Sequence, residues 1–293
     1  MSDLPPVVDG DVLELARTAR NRVRDRTAQV RRRFIRRDKP EDEKPPLARM
    51  LLGGRGGEAK LKMYLTLLWL GAGSSHEVTI PPQKYARLLG FDDPHGKGAR
   101  RVRDAVDWLE LNNFVSVQRR PGRDHVITLL REDGLGQAYE VPGKAGKVHK
   151  DPINHYLKIG PGFWSSGWAA YLSAPATAML LVLLDESRNA RAYDLWISPS
   201  QLEERYGFSD DTRWRGVTEL QKAGLVCVTR KSIDPDFDRR RVRNMYHIDP
   251  ALLDLTIDAE AESRWRNTSE RLSVTPRDAW TSYADGRLSQ AQA

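Results

Sequence analysis

The feature that most constrains this chain is an internal repeat. Residues 80–91 and 197–208 carry Ile, Pro, Gly and Phe at equivalent positions with a constant offset of 117 residues: Ile80 and Ile197, Pro82 and Pro199, Gly90 and Gly207, Phe91 and Phe208. Self-similarity at a fixed offset indicates a supersecondary unit that is used twice. The repeat therefore predicts two copies of one small fold before any single motif is considered.

The two copies differ by a short insertion. A charged helical segment follows each of them, and then a short apolar strand that begins at Phe114 in the first copy and at Leu225 in the second. The offset between these two residues is 111 rather than 117, so the first copy has six additional residues. They lie around residues 92–98, in the turn before the last helix of the unit, and we expect them to alter that turn.

In each copy the residue pattern predicts a helix, a second helix, a turn, a third helix and a two-stranded hairpin, in that order. In the first copy the second helix begins near Pro82 and ends at Gly90, because proline is tolerated in a first helical turn and glycine readily adopts positive φ. The third helix carries apolar residues at helical spacing, namely Val102, Val106 and Leu109. In the second copy Ser173-Ala-Pro175 opens the first helix, and Val217 and Leu220 lie inside the third.

The hairpins have different lengths and charges. In the first copy, strands at 114–119 and 124–130 are joined by residues 120–123, whose Pro-Gly pair suits a tight turn. The second hairpin is longer and more basic. The predicted fold class is α+β and helix-rich, with two winged-helix domains in tandem after an N-terminal basic arm.

The stretch 197–246 resembles a bacterial winged helix-turn-helix domain. The resemblance is carried by Ser209-Asp-Asp-Thr212-Arg-Trp-Arg-Gly-Val217-Thr-Glu-Leu220-Gln-Lys-Ala-Gly224-Leu225-Val, with Arg241-Val-Arg-Asn244-Met-Tyr246 closing the wing. Two such domains in tandem resemble plasmid replication initiators and, less closely, winged-helix transcription regulators. The first copy departs from the pattern at its insertion, which puts ordinary groove docking by that copy in doubt.

Positive charge is concentrated near the N-terminus. Residues 17–37 contain ten arginines and one acid, Asp25, which gives a net charge of +9. The whole chain has a net charge of +7, so the remainder sums to about −2. A cationic segment of this kind displaces counterions from phosphates, and we expect nucleic acid as the partner of the arm. Its candidate contacts are Arg31, Arg32, Arg33, Arg36 and Arg37.

Changes in composition predict five regions. Residues 1–45 form the basic arm, 46–131 the first winged helix, 132–160 a glycine-containing connector, 161–257 the second winged helix and 258–293 a polar tail. We expect the connector to allow a variable angle between the two modules. Tryptophans 69, 108, 164, 168 and 196 are interpreted as packing residues, and so is Trp214, although it lies between two arginines of the third helix.

The sequence offers no catalytic constellation. The six histidines are never within four residues of one another, and the Gly-rich run 53–57 lacks the Lys-Ser or Lys-Thr of a phosphate-binding loop. The single cysteine, Cys227, excludes an internal disulfide and is expected to pack in a strand. We therefore expect a protein that is not an enzyme, has no cofactor or metal, does not bind membranes, and is cytoplasmic, associated with the nucleoid or a plasmid.

The predicted function is sequence-specific binding of double-stranded DNA, as a replication initiator or regulator of a plasmid or mobile element. The third helix of each unit would enter a major groove and the wing would lie over the backbone. The candidate DNA-binding residues are Arg100, Arg101, Arg103, Arg119, Arg120 and Arg123 in the first copy, and Thr212, Arg213, Arg215, Arg230, Lys231, Arg239, Arg240, Arg241 and Arg243 in the second.

Two alternatives stay open at this point. The chain fits a winged-helix transcriptional repressor whose first domain mediates dimerisation, which would make a homodimer. It also fits a non-catalytic protein-interaction subunit of a larger DNA-associated machine, with the arm as a tether to the replication or transcription machinery. Winged helices occur both in DNA-binding repressors and in protein-interaction subunits, so the fold alone does not distinguish the two functions.

Overall fold

The computed structural model describes residues 8–24, 26–52, 56–73, 75–148, 152–187, 195–234, 238–248 and 253. The predicted polar tail, 258–293, lies outside the described residues. The helices are Gly10–Arg22 (α1), Arg32–Ile35 (α2), Pro46–Leu51 (α3), Gly57–Leu70 (α4), Pro82–Leu88 (α5), Lys97–Leu111 (α6), Pro142–Val148 (α7), Gly162–Ser165 (α8), Trp168–Tyr171 (α9), Ala174–Ser187 (α10), Pro199–Tyr206 (α11) and Asp210–Lys222 (α12).

Small antiparallel sheets complete a mixed α+β fold. The strands are Ala28–Arg31 (β1), Glu77–Val78 (β2), Val115–Gln118 (β3), Val126–Leu129 (β4), Tyr156–Ile159 (β5), Val226–Asp234 (β6) and Asp238–Ile248 (β7). The predicted α+β class is confirmed at this level. Residues 57–130 are called the first unit below, and residues 174–248 the second unit.

The two units have the same order of elements. Helices α4 and α10 both have 14 residues, and each end of α10 lies 117 positions after the corresponding end of α4. Helices α5 and α11 both begin at a proline. The turns after them contain Gly90 (φ 66°) and Gly207 (φ 71°), in the left-handed region that glycine adopts without steric cost. The offset seen in the sequence thus extends to the first helix.

The six extra residues of the first unit divide between a turn and a helix. Six positions separate Phe91 from the start of α6, whereas two separate Phe208 from the start of α12, so the turn accounts for four residues. Helix α6 has 15 residues and α12 has 13, which accounts for the other two. The insertion therefore lengthens the third helix as well as the turn before it.

The sheets of the two units share one topology. In the first unit the strand order is β2-β4-β3, so the strand before α5 pairs with the returning strand of the hairpin. In the second unit Leu195, which lies 117 positions after Val78, forms a single antiparallel bridge with Tyr246 of β7. The hairpin of the second unit is longer, with strands of nine and eleven residues against four and four.

The N-terminal segment packs into the protein rather than standing apart as an arm. Strand β1 pairs with β5, so that Val30 lies opposite Leu157. Val30, Phe34 and Ile35 are fully buried and belong to the same hydrophobic core as both units. This differs from the sequence-based expectation, because partners such as Leu157 and Glu132 lie more than 100 residues away in the chain.

One ion pair made by this segment joins Arg31 to Glu132, two residues after the end of the first unit. Both side chains are buried, and the Arg31 Nη1 atom bonds Glu132 Oε2. The Arg31 Nη2 group also donates to the Glu140 carbonyl at 2.8 Å. Burial raises the pKa of Glu132, and the charge of Arg31 opposes that rise. A buried carboxylate is tolerated here because a guanidinium group compensates it.

A second ion pair joins the partly buried Arg32 to the buried Asp185 of α10. The Nε and Nη2 groups of Arg32 donate to the two carboxylate oxygens of Asp185 at 2.5 and 3.2 Å. The Tyr206 hydroxyl donates to Asp185 Oδ2 at 3.1 Å, and Arg36 lies 3.8 Å from the same oxygen. Adjacent arginines thus connect the N-terminal segment to both units.

The predicted connector, 132–160, also contributes to the core. It contains the buried residues Glu132, Tyr139, Leu157 and Ile159, and its strand β5 pairs with β1. After it, Trp164 of α8 stacks on Trp69 of α4 with ring centroids 4.5 Å apart and planes 8° apart. The described parts of the connector therefore pack in the hydrophobic core that both units share, whereas its glycines predict a variable angle between the units.

We predict that breaking the Arg31–Glu132 pair destabilises the whole fold. Glu132→Ala leaves the Arg31 guanidinium buried without its carboxylate, and the free energy of unfolding should fall by about 3–5 kcal/mol. Chemical denaturation followed by circular dichroism measures this change. The matched control is Asp38→Ala, because the Arg33–Asp38 pair is exposed and should contribute less than about 1 kcal/mol. Equal losses in the two variants would contradict the packed position of the segment.

Candidate nucleic-acid interface

The third helix of the first unit is fixed by its apolar face and by a cap in the inserted turn. Val102, Val106 and Leu109 are buried on the side that faces α4. The carboxylate of Asp93 accepts hydrogen bonds from the amides of Lys97 (2.9 Å) and Gly96 (3.0 Å). These two bonds lower the pKa of Asp93. The insertion is thus an ordered cap that satisfies the first amides of α6.

Two predicted arginines of α6 point into solvent without a partner. The side chains of Arg100 and Arg103 are exposed, and neither forms a hydrogen bond or ion pair with the described residues. Arg101 differs, since it bonds Glu58 at 3.1 Å and lies over the Phe91 ring at 4.1 Å. Arg100 and Arg103 are three residues apart and therefore share one face of the helix.

The hairpin of the first unit is attached to this same face. Arg119 bonds Asp107 at 3.0 Å and Glu110 at 2.7 Å, both on α6. The pKa of Glu110 is lowered by its bond with Arg119. Since Asp107 is four residues after Arg103, the turn 120–123 lies beside the exposed arginines. At the turn, Arg120 donates to Gln118 at 3.1 Å, and Arg123 is exposed with no side-chain partner among the described residues.

The third helix of the second unit packs more closely on its neighbour. A Cβ atom at Gly216 would lie 2.4 Å from the Pro175 carbonyl oxygen, so only glycine allows α12 to approach α10 this closely. The Ser209 hydroxyl accepts the Thr212 amide at 3.3 Å, as expected of an N-cap. Thr212 itself is half-buried and serves this cap.

Arg213 and Arg215 occupy different environments. Arg213 is 18% exposed, and it donates to Asp210 at 2.7 Å and to the Tyr246 hydroxyl at 2.5 Å. It therefore ties α12 to β7. Arg215 is 57% exposed and has only a long ion pair with Asp211, at 3.6 Å. Of these two predicted contacts, Arg215 is the one that faces solvent.

The interpretation of Trp214 as a packing residue is wrong. Its side chain is 65% exposed. Helix α12 buries Gly216, Val217 and Leu220. At 100° per residue Trp214 lies about 60° from Val217 and about 120° from Leu220, so it falls at the edge of the buried face rather than within it. Trp69, Trp164 and Trp168 are buried, as predicted. The error arose because large aromatic residues are usually buried.

The hairpin of the second unit places cations opposite one another. Arg230 and Lys231 have exposed side chains, and Lys231 is in direct register with Arg243. Arg243 lies over the ring of the half-buried Trp196 at 3.9 Å. Like charges in direct register disfavour a strand pair unless an anion offsets them. The predicted contacts Arg239, Arg240 and Arg241 have side chains outside the described part of the structure.

The five predicted arginines of the basic arm are all engaged within the protein. Arg31 and Arg32 form the ion pairs with Glu132 and Asp185 described above, and Arg36 approaches Asp185. Arg33 bonds Asp38 at 2.6 Å, and Arg37 donates to the Glu204 carbonyl at 3.0 Å. Only the Arg33 side chain of this set is exposed. Their expected role as phosphate contacts finds no support in this arrangement.

Sequence reasoning missed the two acids that bind this segment. Glu132 and Asp185 are fully buried, yet neither belongs to a local motif. One signal was present for Asp185: the equivalent position of the first unit, 117 residues earlier, is Leu68. An acid where the other copy has a core leucine indicates a buried partner of opposite charge.

Comparison with protein-family models, curated proteins and solved structures finds no match for this chain. Among the residues that the structure describes, no group of three or more His, Cys, Asp or Glu side chains is placed to hold a metal ion. No helix in the described ranges combines the length and the apolar character needed to cross a bilayer.

We predict that replacing the two arginines of α12 by alanine has different effects on the stability of the protein. Arg213→Ala removes a charged hydrogen bond to Tyr246 and should lower the free energy of unfolding by about 1–3 kcal/mol. Arg215→Ala should change it by no more than about 0.5 kcal/mol, as is usual for surface substitutions. Urea denaturation measures both. A loss in Arg215→Ala as large as that in Arg213→Ala would contradict the assigned environments.

Proposed function

We propose that this protein binds double-stranded DNA through two winged-helix units in tandem, without catalysis, as a replication initiator or regulator of a plasmid or mobile element. The observation that carries the proposal is the exposed face of α6. Arg100 and Arg103 stand there without intramolecular partners in the described structure, next to a basic hairpin turn. Cations without carboxylate partners are available to neutralise phosphate or to contact guanine.

In this proposal α6 enters the major groove and the hairpin turn 120–123 lies on the backbone. Arginine suits the groove because its planar fork can donate two hydrogen bonds to O6 and N7 of guanine. Arg123 at the turn and Arg119 beside it would contact phosphates, which position the protein but carry no sequence information. Arg119 has a second role, since its bonds to Asp107 and Glu110 hold the turn against the helix.

The charge distribution favours the first unit as the main DNA contact. The first turns of α6 carry Lys97, Arg100, Arg101 and Arg103, whereas α12 begins with Asp210 and Asp211. The acids of α12 pair with Arg213 and Arg215 and reduce their attraction for phosphate. The second unit would contribute Arg215 and its long basic hairpin, which reaches the backbone at some distance from α12.

The proposal predicts a specific change in salt dependence. Replacing Arg100 and Arg103 together by glutamine should reduce the slope of log affinity against log salt by about 0.9 for each of the two that contacts a phosphate, and so by about 1.8 if both do. Fluorescence anisotropy with a labelled duplex over a series of salt concentrations measures the slope.

If one of the two arginines contacts a base, its alanine variant should lose about 1–3 kcal/mol of binding free energy on the cognate site and much less on random DNA.

The matched control is Arg17→Gln with Lys147→Gln, which removes the same charge from exposed positions outside α6 and the hairpins. The cognate site comes from sequencing the duplex fragments that the protein retains from its source genome. If Arg100→Gln/Arg103→Gln keeps both the wild-type slope and the wild-type ratio of specific to random affinity, α6 is not the DNA contact.

One observation favours a second candidate, a protein-interaction subunit. Trp214 is 65% exposed on α12, and an exposed tryptophan is characteristic of protein interfaces. Under this alternative the second unit binds a protein while the first unit binds DNA.

The two roles of α12 predict opposite results for Trp214→Ala. If α12 binds a protein, duplex affinity stays at the wild-type level, and partner capture from a lysate of the source cell is lost. If α12 lies on DNA, duplex affinity falls while capture is unchanged. Tyr171→Ala, a half-buried aromatic outside the third helices, serves as the control for general effects of truncating an aromatic side chain.

A further inference from the structure

A cleft of about 430 Å³ lies beside the first unit, apart from α6 and the hairpin turn. It is bounded on one side by the end of α1 and the residues after it, and on the other by β2 and the residues that lead to α5. Its charged lining consists of Arg22, Arg24, Arg26 and Glu77. Its volume is in the range of small-molecule sites, which are commonly about 300–1,000 Å³.

The three arginines of the cleft are held differently. Arg26 is anchored, because its Nη1 group donates to the Ala72 carbonyl at 3.2 Å and its own carbonyl accepts the Trp69 indole at 3.1 Å. Arg22 and Arg24 are exposed and have no side-chain hydrogen bond or ion pair with the described residues. Glu77 is the acid among the lining residues, so the described lining has an excess of two positive charges.

The backbone around the cleft adopts uncommon conformations. Arg24 has φ 53°, in the left-handed region, and it is the one arginine among the four non-glycine residues of positive φ in the described chain. His76, between the lining residues Ser75 and Glu77, has φ 54°. Such conformations are unfavourable for residues with a side chain and often occur at binding sites. Here the turn at Arg24 brings three arginines, at alternate positions, to one opening.

We propose that this cleft binds phosphate groups, with Arg22 and Arg24 as the free ligands and Arg26 as a fixed one. Guanidinium groups match phosphate oxygens through paired hydrogen bonds, and three of them around one opening make a site for a polyanion. Two sources have this chemistry: the backbone of a DNA strand that continues past the first unit, and a free nucleotide. Only the DNA source depends on the function proposed above.

The cleft also contains apolar surface, which separates it from a purely electrostatic patch. Leu70, Val78 and Ile80 line it together with the arginines. A site with a few charged groups on an apolar wall is typical of ligand pockets. Strand β2 is the edge strand of its sheet, so the cleft lies on the side of β2 that has no strand neighbour in the described sheet.

The test uses inorganic tripolyphosphate as the probe and the full-length chain. Isothermal titration should give a dissociation constant at least tenfold weaker for Arg22→Gln/Arg24→Gln than for the wild type. Both residues are exposed, so the variant should keep the wild-type circular dichroism spectrum and melting temperature. The control Arg17→Gln/Lys147→Gln removes the same charge elsewhere and should bind the probe as the wild type does.

Unchanged tripolyphosphate binding in Arg22→Gln/Arg24→Gln overturns the proposal, and so does an equal loss in the control. The source is assigned by competition. If a 20-base-pair duplex displaces the probe and the variant has a smaller salt slope for DNA, the site takes a strand backbone. If ATP displaces the probe and the duplex does not, the site takes a nucleotide. The probe measurement stands even if the wild type binds no DNA, so failure of the two proposals is distinguishable.

Discussion

Arg31 and Arg32 are consecutive in the chain, and their guanidinium groups form ion pairs with buried carboxylates in two different parts of the molecule. Glu132 follows the last strand of the first unit, and Asp185 lies in the first helix of the second. A buried carboxylate without a partner costs several kcal/mol, so each acid requires its arginine. The N-terminal segment is consequently part of the core, and both units are positioned against it.

This arrangement bears on the DNA binding that we propose for the two units. Two modules on a flexible linker gain affinity through effective concentration and adapt to different spacings. Here Arg32 of the N-terminal segment pairs with Asp185 of the second unit, Trp69 of the first unit stacks on Trp164, and residues of both units belong to one hydrophobic core. If both units bind one duplex, the distance between their sites is set by the protein, and the DNA must match or bend to it.

The two units have diverged around a common backbone. Both keep a first helix of 14 residues, the glycine after the second helix and the pairing of an edge segment with the returning strand. Their surfaces differ: α6 presents unpaired arginines, whereas α12 presents Trp214 and arginines that are paired with acids. The two units thus share a fold but have different surfaces. This difference agrees with the proposal that the first unit makes the main DNA contact and the second unit contributes a further contact.

Local patterns in the sequence determined the repeated unit, its helices and turns, the position of the insertion and the exposure of Arg100, Arg103 and Arg215. These depend on helical periodicity and on proline and glycine, which act over a few residues. Only the tertiary structure decided that Arg31 is buried and Arg32 partly buried, that Arg213 bonds Tyr246, and that Arg22, Arg24 and Arg26 share a cleft. The physical reason is that a charged side chain is exposed or buried according to its partner, and here the partners lie about 30 to 150 residues away in the chain.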